Sequence, residues 1–252
     1  MRLILLLFMV VGGSFLRCSM PHHQDEFFGD VEFVFKGRYV NEPLVMGKNY
    51  SYFDQSLINF TKSEFFISQI KLKSVSHEHL LTDIAFISLT ESHTSIELSE
   101  AGYKLKFSNI PVDQYSALSF GIGVPSNLNS KNPSQFDINH PLGEGSHYWS
   151  GWKSYIFSKT EGVMTNGTDA TNFAYHSGFD SAYRSFEFQK NITVKSNETT
   201  QIVVEMDHQR QFGTSTQFVN IAQDPIFHDG GPFMITFMNN YQSSIHYSLY
   251  VV

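Results

Sequence analysis

Short runs in which apolar and polar residues alternate at every step constrain this chain more than any other feature. Tyr103-Lys104-Leu105-Lys106-Phe107 is the cleanest of them. Successive side chains of a strand leave opposite faces, so this spacing predicts a strand with one buried and one wet face. Val31-Glu32-Phe33-Val34-Phe35 opens the series. Residues 65–72 continue it, with Phe65, Ile67 and Gln69 on one face and Phe66, Ser68, Ile70 and Leu72 on the other. Residues 115–124, 233–238 and 245–252 read as further strands, and residues 185–194 and 201–206 as a pair joined through 195–198. Turn residues punctuate these runs at Asn41-Glu42-Pro43, Pro125-Ser126-Asn127, Asn166-Gly167 and Asp229-Gly230-Gly231. No helix of more than two turns is expected. Together these patterns predict an all-β fold, an antiparallel β-sandwich or barrel-like sheet with little helix. Residues 125–151 are polar and irregular and lead into both tryptophans. A long loop of this kind on a β scaffold is where function is expected.

The chain can fill such a scaffold: 24 phenylalanines and 12 tyrosines among 252 residues, with 16% charged, are the opposite of a disordered composition. A net charge of −7 without any Lys/Arg-rich stretch leaves no basic face for phosphates, so no nucleic acid partner is expected. The N-terminus reads as an address. Arg2 precedes an apolar run over residues 3–11 and then Gly12, Gly13 and Ser14, the pattern of an export signal. The run is about half the roughly 20 apolar residues that a membrane span requires. The single cysteine, Cys18, cannot form an internal disulfide, and its position after the signal suggests lipidation. The expected organisation is a lipoprotein-type export signal over 1–18, a flexible polar tether over 19–29 and one β domain over 30–252. The expected location is the periplasm or the outer-membrane or cell surface, with the membrane reached only through the lipid.

Motifs of turnover are absent. There is no Gly-x-Ser-x-Gly elbow, no phosphate-cradling glycine loop and no His-Glu-x-x-His, so the chain reads as a binding protein rather than an enzyme. Its eleven histidines are more informative. His140 and His147 lie in the irregular stretch, and His176 lies within Phe173-Ala174-Tyr175-His176-Ser177-Gly178. His147 and Trp149 are two apart, so on an extended segment they leave the same face. Imidazole suits copper, zinc, nickel and iron, and without further cysteines a thiolate site is excluded. His77, His79 and His93 sit in a Ser/Glu/Thr-rich stretch and read as solvated.

The succession of segments resembles the MbnP-like family, methanobactin-associated periplasmic copper-binding proteins. The resemblance covers nearly the whole domain. It is carried by the opening strand with Pro43-Leu44 and Tyr50, by Phe66-Ile67-Ser68-Gln69-Ile70-Lys71-Leu72, by Ser119-Phe120-Gly121-Ile122-Gly123-Val124, by His140-Pro141-Leu142, by Tyr148-Trp149-Ser150 with Tyr155-Ile156-Phe157 and Glu161-Gly162, and by Tyr175-His176-Ser177-Gly178. It implies an antiparallel β fold that binds copper, as Cu(I), outside the cytoplasm. It also implies a tryptophan oxidised to kynurenine, whose nitrogen joins two histidines, with a diheme peroxidase-like protein as the partner that carries out the oxidation. By position, Trp149 matches the family tryptophan and His176 the family histidine. His140 is the expected second ligand, and His147 competes with it. His147 stands where the family has Met, and Gly151 where a second Trp is usual, with Trp152 displaced by one. These departures motivate an alternative, an envelope-anchored structural or interaction domain with a degenerate metal site.

Overall fold

The computed structural model describes residues 27–245 and 250–251. The expected signal, Cys18 and nearly all of the tether lie outside the described residues. Strand β1 (Phe28–Tyr39) buries every second residue, with Val31, Phe33 and Phe35 all at most 1% exposed. The other long strands are β2 (Leu57–Lys73), β3 (Glu78–Ser88), β4 (Tyr103–Pro111), β5 (Asp113–Ile122), β6 (Ser154–Asn166), β7 (Asp169–Gly178), β8 (Arg184–Val194) and β9 (Thr199–Asp207). They form two sheets packed as a sandwich.

The smaller sheet centres on β1, flanked by β4 antiparallel and by β9, with the short strands Glu42–Pro43 and Tyr250–Val251 at its margins. The larger sheet runs β8-β5-β2-β6-β7 and ends in the two-residue strand Ile226–Phe227. Between the sheets Phe35 meets Phe65 edge-on at 6.0 Å, and Tyr39 meets Phe60 at 5.9 Å. Such aromatic pairs add to the burial of apolar area that drives the fold. Within this sandwich two pairs run parallel: β1 with β9, from Asp30↔Thr199 to Arg38↔Asp207, and β7 with Ile226–Phe227.

Strand β2 is long enough to serve several neighbours. Residues 57–65 pair with β6 and residues 67–73 with β5, while residues 64–73 pair with β3 and residues 57–58 with Tyr50–Ser51. Register shifts flank Gln69, which adopts φ +50, so the strand is bulged and twisted near the exchange of partners.

Two expectations are corrected. Residues 185–194 and 201–206 are strands but not a pair: β8 belongs to the larger sheet and β9 to the smaller, so residues 195–198 cross between layers. Residues 233–238 are not a strand. They lie in helix α1 (Pro232–Ile245), which buries Met234, Phe237, Met238, Tyr241 and Ile245. Positions i, i+3, i+4, i+7 and i+11 form one helical face, with Pro232 at the first position where its missing N–H costs nothing. Helix α1 packs Tyr241 against Phe65 at 6.2 Å and Phe237 against Tyr175 at 5.3 Å, covering the sandwich beside β7.

Candidate metal centre

The hairpin of β6 and β7 sets His176 opposite Lys159, with Glu161 two residue pairs away opposite Ala174. The His176 Nε2–H donates to Glu161 Oε1 at 2.8 Å. Because a carboxylate only accepts, this bond places the ring proton on Nε2 and leaves the Nδ1 lone pair free. Glu161 is itself 3.5 Å from Lys62 Nζ on β2. Burial lowers the pKa of His176 even though Glu161 pulls it upward, which favours the neutral ring.

The neighbour that sequence reasoning missed is His228. Ile226 and Phe227 pair in parallel with Ala174 and Tyr175, and continuing that register one step brings His228 beside His176. Adjacent strands lie about 4.8 Å apart, and the two rings stack at 4.5 Å with planes 12° apart. His228 Nε2 is buried and has no hydrogen-bond partner. Burial also lowers this pKa. The only local signal was Ile226-Phe227-His228 lying between Pro225 and the Asp229-Gly230-Gly231 turn. That is too short to show which strand it joins.

Trp149 stands opposite Ser154 in a two-residue strand beside β6. Its indole is 36% exposed, meets His228 at 5.2 Å and stacks on Trp152 at 4.6 Å. Trp152 in turn packs on Phe179 at 4.9 Å and lies over Gly178, where a Cβ would approach its ring to 2.7 Å. The site is therefore two neutral imidazoles, a carboxylate behind one of them and an aromatic wall.

The structure brings Trp149 and His176 into one neighbourhood through His228, but the other expected ligands have different surroundings. His140 stacks on Phe136 at 4.5 Å, and its Nδ1 accepts the Leu142 N–H at 3.1 Å. His147 is buried against Phe86 and Phe66, and its Nε2 is 3.2 Å from Glu64. Among the described residues no group of three or more His, Cys, Asp or Glu side chains is arranged to hold one metal ion. His93, expected to be solvated, is fully buried.

A sequence profile of the MbnP family matches residues 28–229, from the first residue of β1 to the residue after His228. Among solved structures, MbnP from Methylosinus trichosporium superposes with a TM-score of 0.50. The match covers 81% of this chain and 82% of that one at 8% identity, a likeness of fold. No curated protein matches the chain significantly.

Proposed function

The chain belongs to the MbnP family, and from that premise we propose that it binds copper outside the cytoplasm, holding it at His176 and His228 beside Trp149. The observation that carries the proposal is the pair of unanswered ring nitrogens. His228 Nε2 is buried without a partner, and the hydrogen bond to Glu161 leaves His176 Nδ1 as a free donor. A carboxylate behind a ligating imidazole is a recurrent second-layer arrangement: it fixes the ring and raises its basicity. Neutral imidazoles are also the form that a metal requires. Copper bound there would be stored or handed on, and the protein's own task is binding rather than turnover. Glu161 holds the His176 proton away from the donor atom, and Trp149 and Trp152 shield one side from water. Trp149 is exposed enough to be reached by a diheme peroxidase-like partner, and its conversion to kynurenine belongs to the same proposal. So does export through residues 1–18 with Cys18 as the lipid anchor.

Purified protein should take up about one copper ion under reducing conditions. His176→Ala with His228→Ala should abolish uptake, whereas His140→Ala should retain it. Unchanged copper content in the double variant would defeat the assignment, and an intact mass reads any lipid on Cys18 or change at Trp149.

A second reading is favoured by the stacking itself. In-plane lone pairs of two rings only 12° from parallel do not meet at one point, so copper binding requires one ring to turn. If the wild-type protein takes up no copper, an envelope interaction domain with a decayed site is the better description.

A further inference from the structure

We propose that His147 is a positioning residue, a clasp that fastens the loop bearing Trp149 to the larger sheet and so sets the indole against His228. This deepens the copper reading, on which its functional meaning rests.

His147 ends a single 3-10 turn, Gly145–His147, in which the Glu144 carboxylate accepts the Ser146 N–H. Its ring is only 7% exposed and is wedged edge-on against Phe86 at 4.5 Å and Phe66 at 5.7 Å. Both nitrogens are engaged, Nε2 with Glu64 Oε2 at 3.2 Å and Nδ1 with Ser146 Oγ at 2.9 Å. Neither is offered to an ion. One residue earlier, the Ser146 carbonyl accepts a hydrogen bond from Lys159 Nζ at 3.0 Å.

Glu64 and Lys159 face each other across β2 and β6. Two rigid strands therefore hold the loop by consecutive residues. Burial pushes the Glu64 carboxyl upward, yet the hydrogen bond and charge of His147, with Lys62 and Lys159 nearby, bring it below its usual range.

Immediately after the clasp, Tyr148 and Trp149 make the short pairing to Tyr155 and Ser154. A two-residue pairing orders little by itself. The indole also stacks on Trp152, a residue of the same turn, and meets His228 edge-on. Tyr148 packs on Tyr155 of β6 at 5.0 Å, and the loop side chain nearest Trp149 along the chain that is hydrogen-bonded to the sheet is His147.

The test uses 5-fluorotryptophan and 19F NMR on the whole protein. Its two tryptophans give two resonances, assigned with Trp152→Phe. His147→Ala should move the Trp149 resonance toward that of a solvated indole and weaken copper binding about tenfold, with one ion still bound. His147→Gln, whose amide reaches Glu64, should restore the wild-type signal. If His147→Ala fails to fold, Glu64→Ala, which removes the acceptor, carries the same test. An unmoved Trp149 resonance overturns the proposal. Complete loss of copper with that resonance unmoved would also overturn it, because His147 would then be a ligand. If the wild-type protein takes up no copper, the copper reading fails while the fluorine signal still decides the clasp.

Discussion

The molecule contains two neighbouring pairs of imidazoles treated in opposite ways. His93 and His208 are wholly buried near Gly37. His93 Nε2 accepts the Gly37 N–H at 2.8 Å, and its Nδ1 lies 2.9 Å from Ser92 Oγ. His208 Nδ1–H donates to the Met206 carbonyl at 3.2 Å, and Nε2 accepts from Ser63 Oγ at 2.8 Å. His176 and His228 sit nearer the surface with one nitrogen each unanswered. Burial therefore does not mark the pair proposed as ligands. Buried polar atoms are normally satisfied, and among those of the described residues left without a partner, with Thr160 Oγ1 and the Gln211 amide, His228 Nε2 is the one on a ring that can ligate a metal.

This contrast is most severely tested by acid. Burial holds the folded-state pKa of His93 down at about 3 and that of His208 at about 4, against an unfolded value of 6.5. Below pH 6.5 the unfolded chain binds protons that the folded one refuses, so stability is complete above that pH and falls as pH drops toward 4. By pH 4.5 each imidazole should cost roughly 2 to 3 kcal/mol. Chemical denaturation across this range checks the slope, and a flat profile would remove the distinction between the pairs.

Next in size, His208→Ala should destabilise by about 3 kcal/mol, through the cavity and through Ser63 Oγ left unpaired. Copper uptake by the folded fraction should not change. Glu161→Gln should act on the other pair alone, weakening copper roughly 10- to 100-fold, read by competition with a Cu(I) chelator, without shifting the melting temperature much. Smallest of all, His228→Ala should alter stability by no more than about 0.5 kcal/mol while removing a ligand. A large loss of stability there would make His228 a second packing histidine.

The sandwich was legible because its strands carry their period on their faces, as β1 and β4 do. The helix over Pro232–Ile245 was legible in principle too, since Met234, Phe237, Met238, Tyr241 and Ile245 fall on one helical face. A six-residue window at 233–238, with two Phe, one Ile and one Thr, instead reads as a strand. At the site, Trp149 could be singled out by its two-residue spacing from His147 and by the family resemblance, and His176 by its place in an aromatic, glycine-ended strand. His228 could not, because a parallel pairing between Tyr175 and Phe227 leaves no trace in the spacing of either segment. The burial of His93 was hidden for a related reason: its partner is the backbone N–H of Gly37, 56 residues away.

The long strand β2 has a mechanical consequence. Because it pairs with β6 through residues 57–65 and with β5 and β3 through residues 64–73, it is one continuous strand that joins both halves of the larger sheet. Amide protons of Leu57–Lys73 should exchange only when the whole sheet opens, and the hairpin holding His176 inherits that slow breathing. A cargo ion seated there would be released by movement of the loops around it, with the sheet beneath remaining still.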